Sequence, residues 1–216
     1  MIDWAYIIEI MPDLLEATLI TIRLALSGYL LAMFIGLFFA LARMSGNTTV
    51  SRTVWVISES IRLTPLLVQL FFVFFVLPEF GIMFSAEITG VFVIGLHYAT
   101  YISEVYRSGI RAIPSGQWEA AIALDLPTGV FWRRIVLPQS VRPMLPALGN
   151  YLIQLLKEVP ILSTITVYEL LNTANLLAGS SFKYIEALTM VGVIFLILSL
   201  VISFVFRKIE ASNANS

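Results

Sequence analysis

Polar side chains recur at helical spacing inside stretches that are otherwise apolar, and these are the residues with chemistry to offer. His97, Tyr101 and Glu104 stand at i, i+4 and i+7 on one helical stripe, with Tyr98 beside them. Such a stripe either lines a solute path or glues helices together. An ionisable group at the centre of a membrane helix costs at least ~2.5 kcal/mol, so Glu104 needs a basic partner such as Arg107 or a cationic ligand. Asn150, Gln154, Lys157 and Glu158 form a second stripe. Lys157 and Glu158 supply a cation for a carboxylate and an anion for an ammonium group, the pair a zwitterion needs, or else they are a charged helix end ahead of Pro160. Glu59 and Arg62, three apart, read as a mutual ion pair. Thr64, Pro65 and Gln69 read either as a kink, in which Thr64 satisfies a carbonyl freed by the proline, or as a ligand contact.

Enzymatic chemistry lacks its parts. One histidine, no cysteine and no H-E-x-x-H leave neither a metal ligand set nor a nucleophile with its base. No G-x-x-x-x-G-K-[ST] phosphate loop is present, so ATP has no usual site. A net charge of −1 argues against nucleic acid.

Lipid is the expected solvent for these stripes. The chain has 216 residues, 59% hydrophobic and 12% charged, where an ordinary soluble domain carries about 25% charged residues. A membrane helix needs about 20 mainly apolar residues, and five stretches qualify, roughly 14–43, 54–77, 88–107, 135–158 and 184–206, the fourth broken by Pro138, Pro143 and Pro146. The expected fold is therefore an all-α integral membrane protein, one transmembrane domain over residues 1–216. No positive, short leader pattern precedes the first span, which is expected to stay in the mature protein. Arg43, Arg52, Arg107, Arg111, Arg133, Arg134, Arg207 and Lys208 all fall on one side if the N-terminus is outside and the C-terminus cytoplasmic. Segment 160–183 is too polar to span and reads as a re-entrant or external helix, with Thr166 as N-cap, Glu169 at N3 and its end at Asn175 or Gly179. The tail after Lys208 is short and polar, and is expected to be disordered.

The stretch GQWEAAIALDLPTGVFWRRIVLP, residues 116–138, stands apart, polar and basic between two spans. Ser115 offers an N-cap, Trp118 to Leu124 favour a short helix, and Glu119 suits its positive end. Ala120, Ala121 and Ala123 let a partner surface come close. Asp125, Leu126 and Pro127 end the helix, and Val130 to Val136 begin another. From the residues alone this loop, approximately 114–134, is either a docking element or an interfacial segment with arginines on lipid headgroups.

Glu119-Ala120-Ala121 followed by Ile135, Leu137 and Pro138 resembles the Glu-Ala-Ala coupling loop of ABC importer permeases. RLTPLLVQLFFVFFVLP (62–78), YISEVYRSGIRAIPSGQWEAA (101–121) and KEVPILSTITVYEL (157–170) resemble the polar amino acid type of those permeases, the histidine, glutamine, arginine and opine group, with ectoine importers alongside. Leu63 and Asp125 stand where that family has glycine, and Asp125 tolerates a positive φ better than most residues. The resemblance implies a type I importer permease of five transmembrane helices that carries a polar amino acid or ectoine-like zwitterion by alternating access. Trp118, Glu119, Ala120, Ala121, Leu124 and Asp125 would contact a separate ATP-binding subunit dimer, which holds the ATP and magnesium; this chain would bind no cofactor. Thr64, Gln69, His97, Tyr101, Glu104, Gln154, Lys157 and Glu158 would line the substrate path. A second permease, identical or homologous, and an extracytoplasmic solute-binding protein complete the implied assembly, set in the bacterial cytoplasmic membrane. The competing classes are a membrane enzyme, disfavoured by the missing parts, and a channel or anchor without ATP coupling, in which an organised loop would have no role.

Overall fold

A computed structural model describes residues 2–214, with side chains through Ala211. Among these residues there are only helices and short connections: α1 (Trp4–Met44), α2 (Thr48–Leu63), α3 (Leu66–Phe71), α4 (Ala86–Arg111), α5 (Ser115–Ala123), α6 (Thr128–Phe131), α7 (Leu137–Glu158), α8 (Leu170–Ser181) and α9 (Tyr184–Ala214). The tail expected to be disordered continues α9 as helix to Ala214. Three helices are long and apolar enough to cross a membrane on their own: Trp4–Met44, Ala86–Arg111 and Tyr184–Ala211. The expected fourth span coincides with α7, whose length suffices but whose prolines and polar stripe make it less apolar than these three.

α1 and α4 form the central pair. Their crossing is built from small residues. A Cβ on Gly36 would lie 3.0 Å from the carbonyl of Ala99, and one on Gly95 would lie 3.1 Å from the carbonyl of Gly28. Without a hydrophobic drive between helices in lipid, such close backbone approach is what holds a pair together. Two ion pairs bracket it. Arg23 meets Glu87 at 2.7 Å at one end and Arg43 meets Glu104 at 2.6 Å at the other. Arg23 and Arg43 are twenty residues apart, about 30 Å of helix, the thickness of a bilayer's hydrocarbon core.

The second expected span departs from a single helix. α2 and the segment Leu66–Phe80 are bent by 103° at Thr64–Pro65. Pro65 cannot donate to the carbonyl of Ile61, four residues back. The Thr64 hydroxyl donates instead to Ser60 O at 2.7 Å, while the Gln69 amide reaches back to Ile61 O at 2.7 Å and Thr64 O at 2.8 Å. α2 buries only Ser58.

Two widened turns share one cause. The π turns Phe72–Val76 and Trp132–Val136 each run into Leu-Pro, at Pro78 and Pro138. The leucine N–H bonds five residues back, to Phe72 O and Trp132 O, which makes room for the proline ring that a normal turn would clash with. The second turn joins α6 to α7, so one continuous helix runs from Thr128 to Glu158.

α8 starts differently from expectation. Thr166 is in the left-handed region at φ 65 and ends a 3-10 turn, so it cannot take the extended geometry of an N-cap. Glu169 is itself the N-cap, accepting from Leu171 N at 3.0 Å and Asn172 N at 2.8 Å. The helix runs past Asn175 and Gly179 to Ser181.

A clasp ties the start of α1 to the α8–α9 connection. Asp3 accepts from Lys183 Nζ at 2.8 Å, its N–H donates to Glu186, and the Ser181 hydroxyl donates to Tyr6 at 2.7 Å. The Lys183 hydrogen bond and the Tyr6 N–H hold the Asp3 carboxyl below its ordinary value, and Asp3 holds the Lys183 ammonium above its own. The depressed carboxyl contributes stability that is present above its unfolded pKa and lost as pH falls through the folded one. The raised ammonium contributes below its unfolded pKa and loses it as pH rises through the folded one. The clasp is thus closed from about pH 4 to about pH 10. Hydrogen exchange at Tyr6 and Ile7 is expected to accelerate below about pH 4 in the wild type, and Lys183→Ala is expected to shrink that acid step and move it to higher pH, leaving only the part due to the Tyr6 N–H; an unchanged acid step in the variant contradicts the clasp.

The C-terminus of α5 ends on a residue in the left-handed region. Leu126 N bonds Ala121 O at 3.0 Å and Asp125 N bonds Ile122 O at 3.1 Å, with Asp125 at φ 48. This is a Schellman cap with aspartate at the position glycine usually takes. A β-branched residue there costs roughly 1–2 kcal/mol, so Asp125→Val is expected to speed amide exchange at Asp125's position and Leu126 about 5–30-fold, while Asp125→Gly leaves it within about twofold.

Candidate functional site

The loop between α4 and α7 is a short helix packed on its own return strand of chain. Ser115 heads α5 without a side-chain cap; Pro114 occupies the N-cap position, where it fixes the backbone. Trp118 turns inward, its ring 4.9 Å from Phe131 and 6.2 Å from Trp132. Ala121 is buried beneath the helix. Both were expected on the partner-facing surface, and both instead pack into the chain's own apolar core. Glu119, Ala120, Ile122, Ala123, Leu124 and Asp125 are exposed, as is the first turn of the helix. Ile122 is 81% and Leu124 70% exposed, an apolar pair that water penalises and a partner would cover. Ile122 was missed because its neighbours carried the motif; the 3.6-residue period, which turns it about 100° from the buried Ala121, was the available signal.

At the arginine-rich end of the central pair lies a cluster of five charges. Glu104 meets Arg107 at 2.6 Å and Arg43 at 2.6 Å, with Arg62 at 3.9 Å. Arg62 is bonded to Glu59 at 2.6 Å, as their spacing predicts, and its guanidinium lies 5.9 Å from the Tyr101 ring centre. Glu104 therefore has basic partners of its own and no need of a cationic ligand. Arg43, from the end of α1, was not foreseen as one of them.

The second polar stripe splits into two faces. Asn150, Gln154 and Lys157 are exposed on α7. Glu158 is turned about 100° from Lys157 by the one-residue step. It faces α4, with its carboxylate near the Tyr98 hydroxyl. The zwitterion pair expected from Lys157 and Glu158 is thus not brought together. Glu158 instead shares its face with Tyr151, seven residues earlier, which sequence reasoning missed although that spacing marks it. Tyr151 stacks 5.7 Å from Tyr101 and 6.2 Å from Tyr98, and His97 is 5.4 Å from Tyr101. The result is a carboxylate beside a group of aromatic rings, with Glu158 Oε2 buried and without a hydrogen-bond partner among the described residues.

Thr64 and Gln69 line an apolar cleft of about 380 Å³ with Phe72, Val73 and Leu96. Their polar atoms are committed to the break in the second span, and Gln69 also touches His97 Nδ1 at 3.1 Å. A second cleft, of about 290 Å³, lies against Tyr101, Glu104, Ser108 and Tyr151.

Known proteins with this pattern agree with one another. Residues 32–213 match the family described as the binding-protein-dependent transport system inner membrane component. The chain is 43% identical over 210 residues to a probable amino-acid ABC transporter permease of Sinorhizobium fredii, covering 97% of this chain and 91% of that one. It is 31% identical over 213 residues to an arginine transport system permease of Bacillus subtilis, covering 97% and 96%. A crystal structure of an amino acid ABC transporter with histidines superposes with a TM-score of 0.91 at 30% identity, over 98% of this chain and 99% of that chain. An inward-facing methionine ABC transporter shares the fold alone, with a TM-score of 0.72 at 18% identity over 98% and 99%. With the all-helical architecture and the exposed loop helix, these matches make the chain a member of the binding-protein-dependent transport system inner membrane component family, the permease subunit of an ABC transporter.

Proposed function

We propose that this chain is the permease of an ATP-driven importer for a polar amino acid or related zwitterion bearing a cationic group, with its N-terminus outside and its C-terminus cytoplasmic. The single observation that carries the solute reading is Glu158. A carboxylate oxygen left buried and unpartnered costs on the order of several kcal/mol, and rings of Tyr98, Tyr101 and Tyr151 beside it favour a cation over their faces. An ammonium or guanidinium group seated there offsets both. The names of the relatives, which include amino-acid, arginine and nopaline permeases, support an amino acid over an ectoine-like solute.

Coupling follows from α5. Glu119, Ala120, Ile122 and Leu124 face away from the chain, and a partner ATPase dimer, which carries the ATP and magnesium, would cover them. Closure of that dimer draws the α5 helices of two permeases together and tilts α4 and α7, which flank the loop. The exposed polar face of Asn150, Gln154 and Lys157 fits a water-lined path shared with a second permease. Differential binding of the two states to ATP and to the loaded solute-binding protein supplies the work.

The test is solute-stimulated ATP hydrolysis by the assembled complex in liposomes, across arginine, histidine, glutamine and ectoine. Glu158→Gln is expected to weaken the response to cationic amino acids about 10–100-fold, from a charge-assisted contact of about 1.5–3 kcal/mol, with basal hydrolysis unchanged. Equal responses of wild type and variant to every cationic solute would exclude Glu158 as the solute's anchor.

A further inference from the structure

We infer that Glu104 is the positioning residue through which motion of α5 reaches the break at Thr64–Pro65, by exchanging its partner from Arg43 to Arg62. The inference rests on α5 being the ATPase-docking helix.

The cluster is short of one carboxylate. Three arginines, Arg43, Arg62 and Arg107, face two acids, Glu59 and Glu104. The Nε atoms of all three arginines are buried without a hydrogen-bond partner among the described residues. The same five charges admit a second arrangement. In the observed one, Glu104 Oε1 accepts from Arg43 at 2.6 Å while Arg62 waits at 3.9 Å, bonded to Glu59. Moving Glu104 by little more than 1 Å would close the second contact, since charge-assisted bonds settle near 2.7–2.9 Å. Glu104 has room for this, because it lies against the cleft of about 290 Å³ beside Tyr101 and Tyr151.

Each member sits on a different moving part. Arg43 ends α1, whose close crossing with α4 is fixed further along by Gly36 and Gly95. Glu104 and Arg107 lie in the last turns of α4, which ends at Arg111, just before α5 begins at Ser115. Arg62 lies in the last turn of α2, two residues before Thr64 and the 103° bend. A pull on α5 displaces the end of α4 against α1, carries Glu104 toward Arg62, and loads the bend. Small shifts become large ones where a packed element has two discrete arrangements.

The two readings of Arg62 separate in a pair of variants. If Arg62 only stabilises α2, its observed bond to Glu59 matters, and Arg62→Gln and Glu59→Gln lose function equally. If it receives Glu104, Arg62→Gln is expected to lower solute-stimulated ATP hydrolysis about tenfold, a coupling of ordinary size, while Glu59→Gln changes it less than about threefold. Both variants are expected to co-purify with the ATPase at wild-type yield. The chain has no cysteine, so a spin-label pair at Leu63 and Leu67 reads the bend directly: its nucleotide-dependent distance change persists in Glu59→Gln and disappears in Arg62→Gln. Equal loss in the two variants, full coupling in Arg62→Gln, or its failure to co-purify overturns the inference. Failure of the docking reading looks different: Glu119→Lys retains the ATPase, or the wild type does not bind it.

Discussion

In hydrocarbon no water can replace a backbone hydrogen bond that a helix fails to make, and the prolines of this chain turn that constraint into its architecture. Pro65 opens the second span, and the open carbonyls are met by Thr64 and Gln69, so the bend is held in one place. Pro78 and Pro138 are absorbed by a widened turn each. The result is a bundle with defined joints: one between α2 and α3, and one where the loop helix hands over to α7.

The same logic explains why the intramembrane charges are grouped. Glu104 is shared among arginines from three helices, and Glu158 lies near Tyr98 of α4. In the first group both carboxylates are paired with arginines, and the group is structural or mechanical. The second keeps one oxygen free and therefore has affinity left to give. Distinguishing them requires knowing which atoms are already bonded, and residue type alone does not tell.

Local rules were legible in the sequence. The C-terminal end of α5, the Glu59–Arg62 and Glu104–Arg107 pairs at i, i+3, and the positive φ at Asp125 all depend on residues within one or two turns. What needed the tertiary structure was less accessible. Arg43 reaches Glu104 across 61 residues of sequence, and Gln69 was readable as polar without showing that it folds back on Ile61. The stripe of Asn150, Gln154, Lys157 and Glu158 was read one step too wide, because adjacent residues on a helix face directions about 100° apart. Trp118 and Ala121 were assigned outward because the family motif does not state which face of the helix a partner meets. Glu169 was placed inside α8 and not at its start because glutamate is an uncommon cap.

The central claim is that a permease of this family is driven through the exposed face of α5. With no native cysteine in the chain, Ile122→Cys can be paired with one cysteine placed in the groove of a cysteine-free partner ATPase. The crosslink is expected to form, and ATP-driven solute uptake to stop until the disulfide is reduced. Uptake that continues undiminished with the crosslink complete, or a loop that never crosslinks in an actively transporting complex, would contradict it.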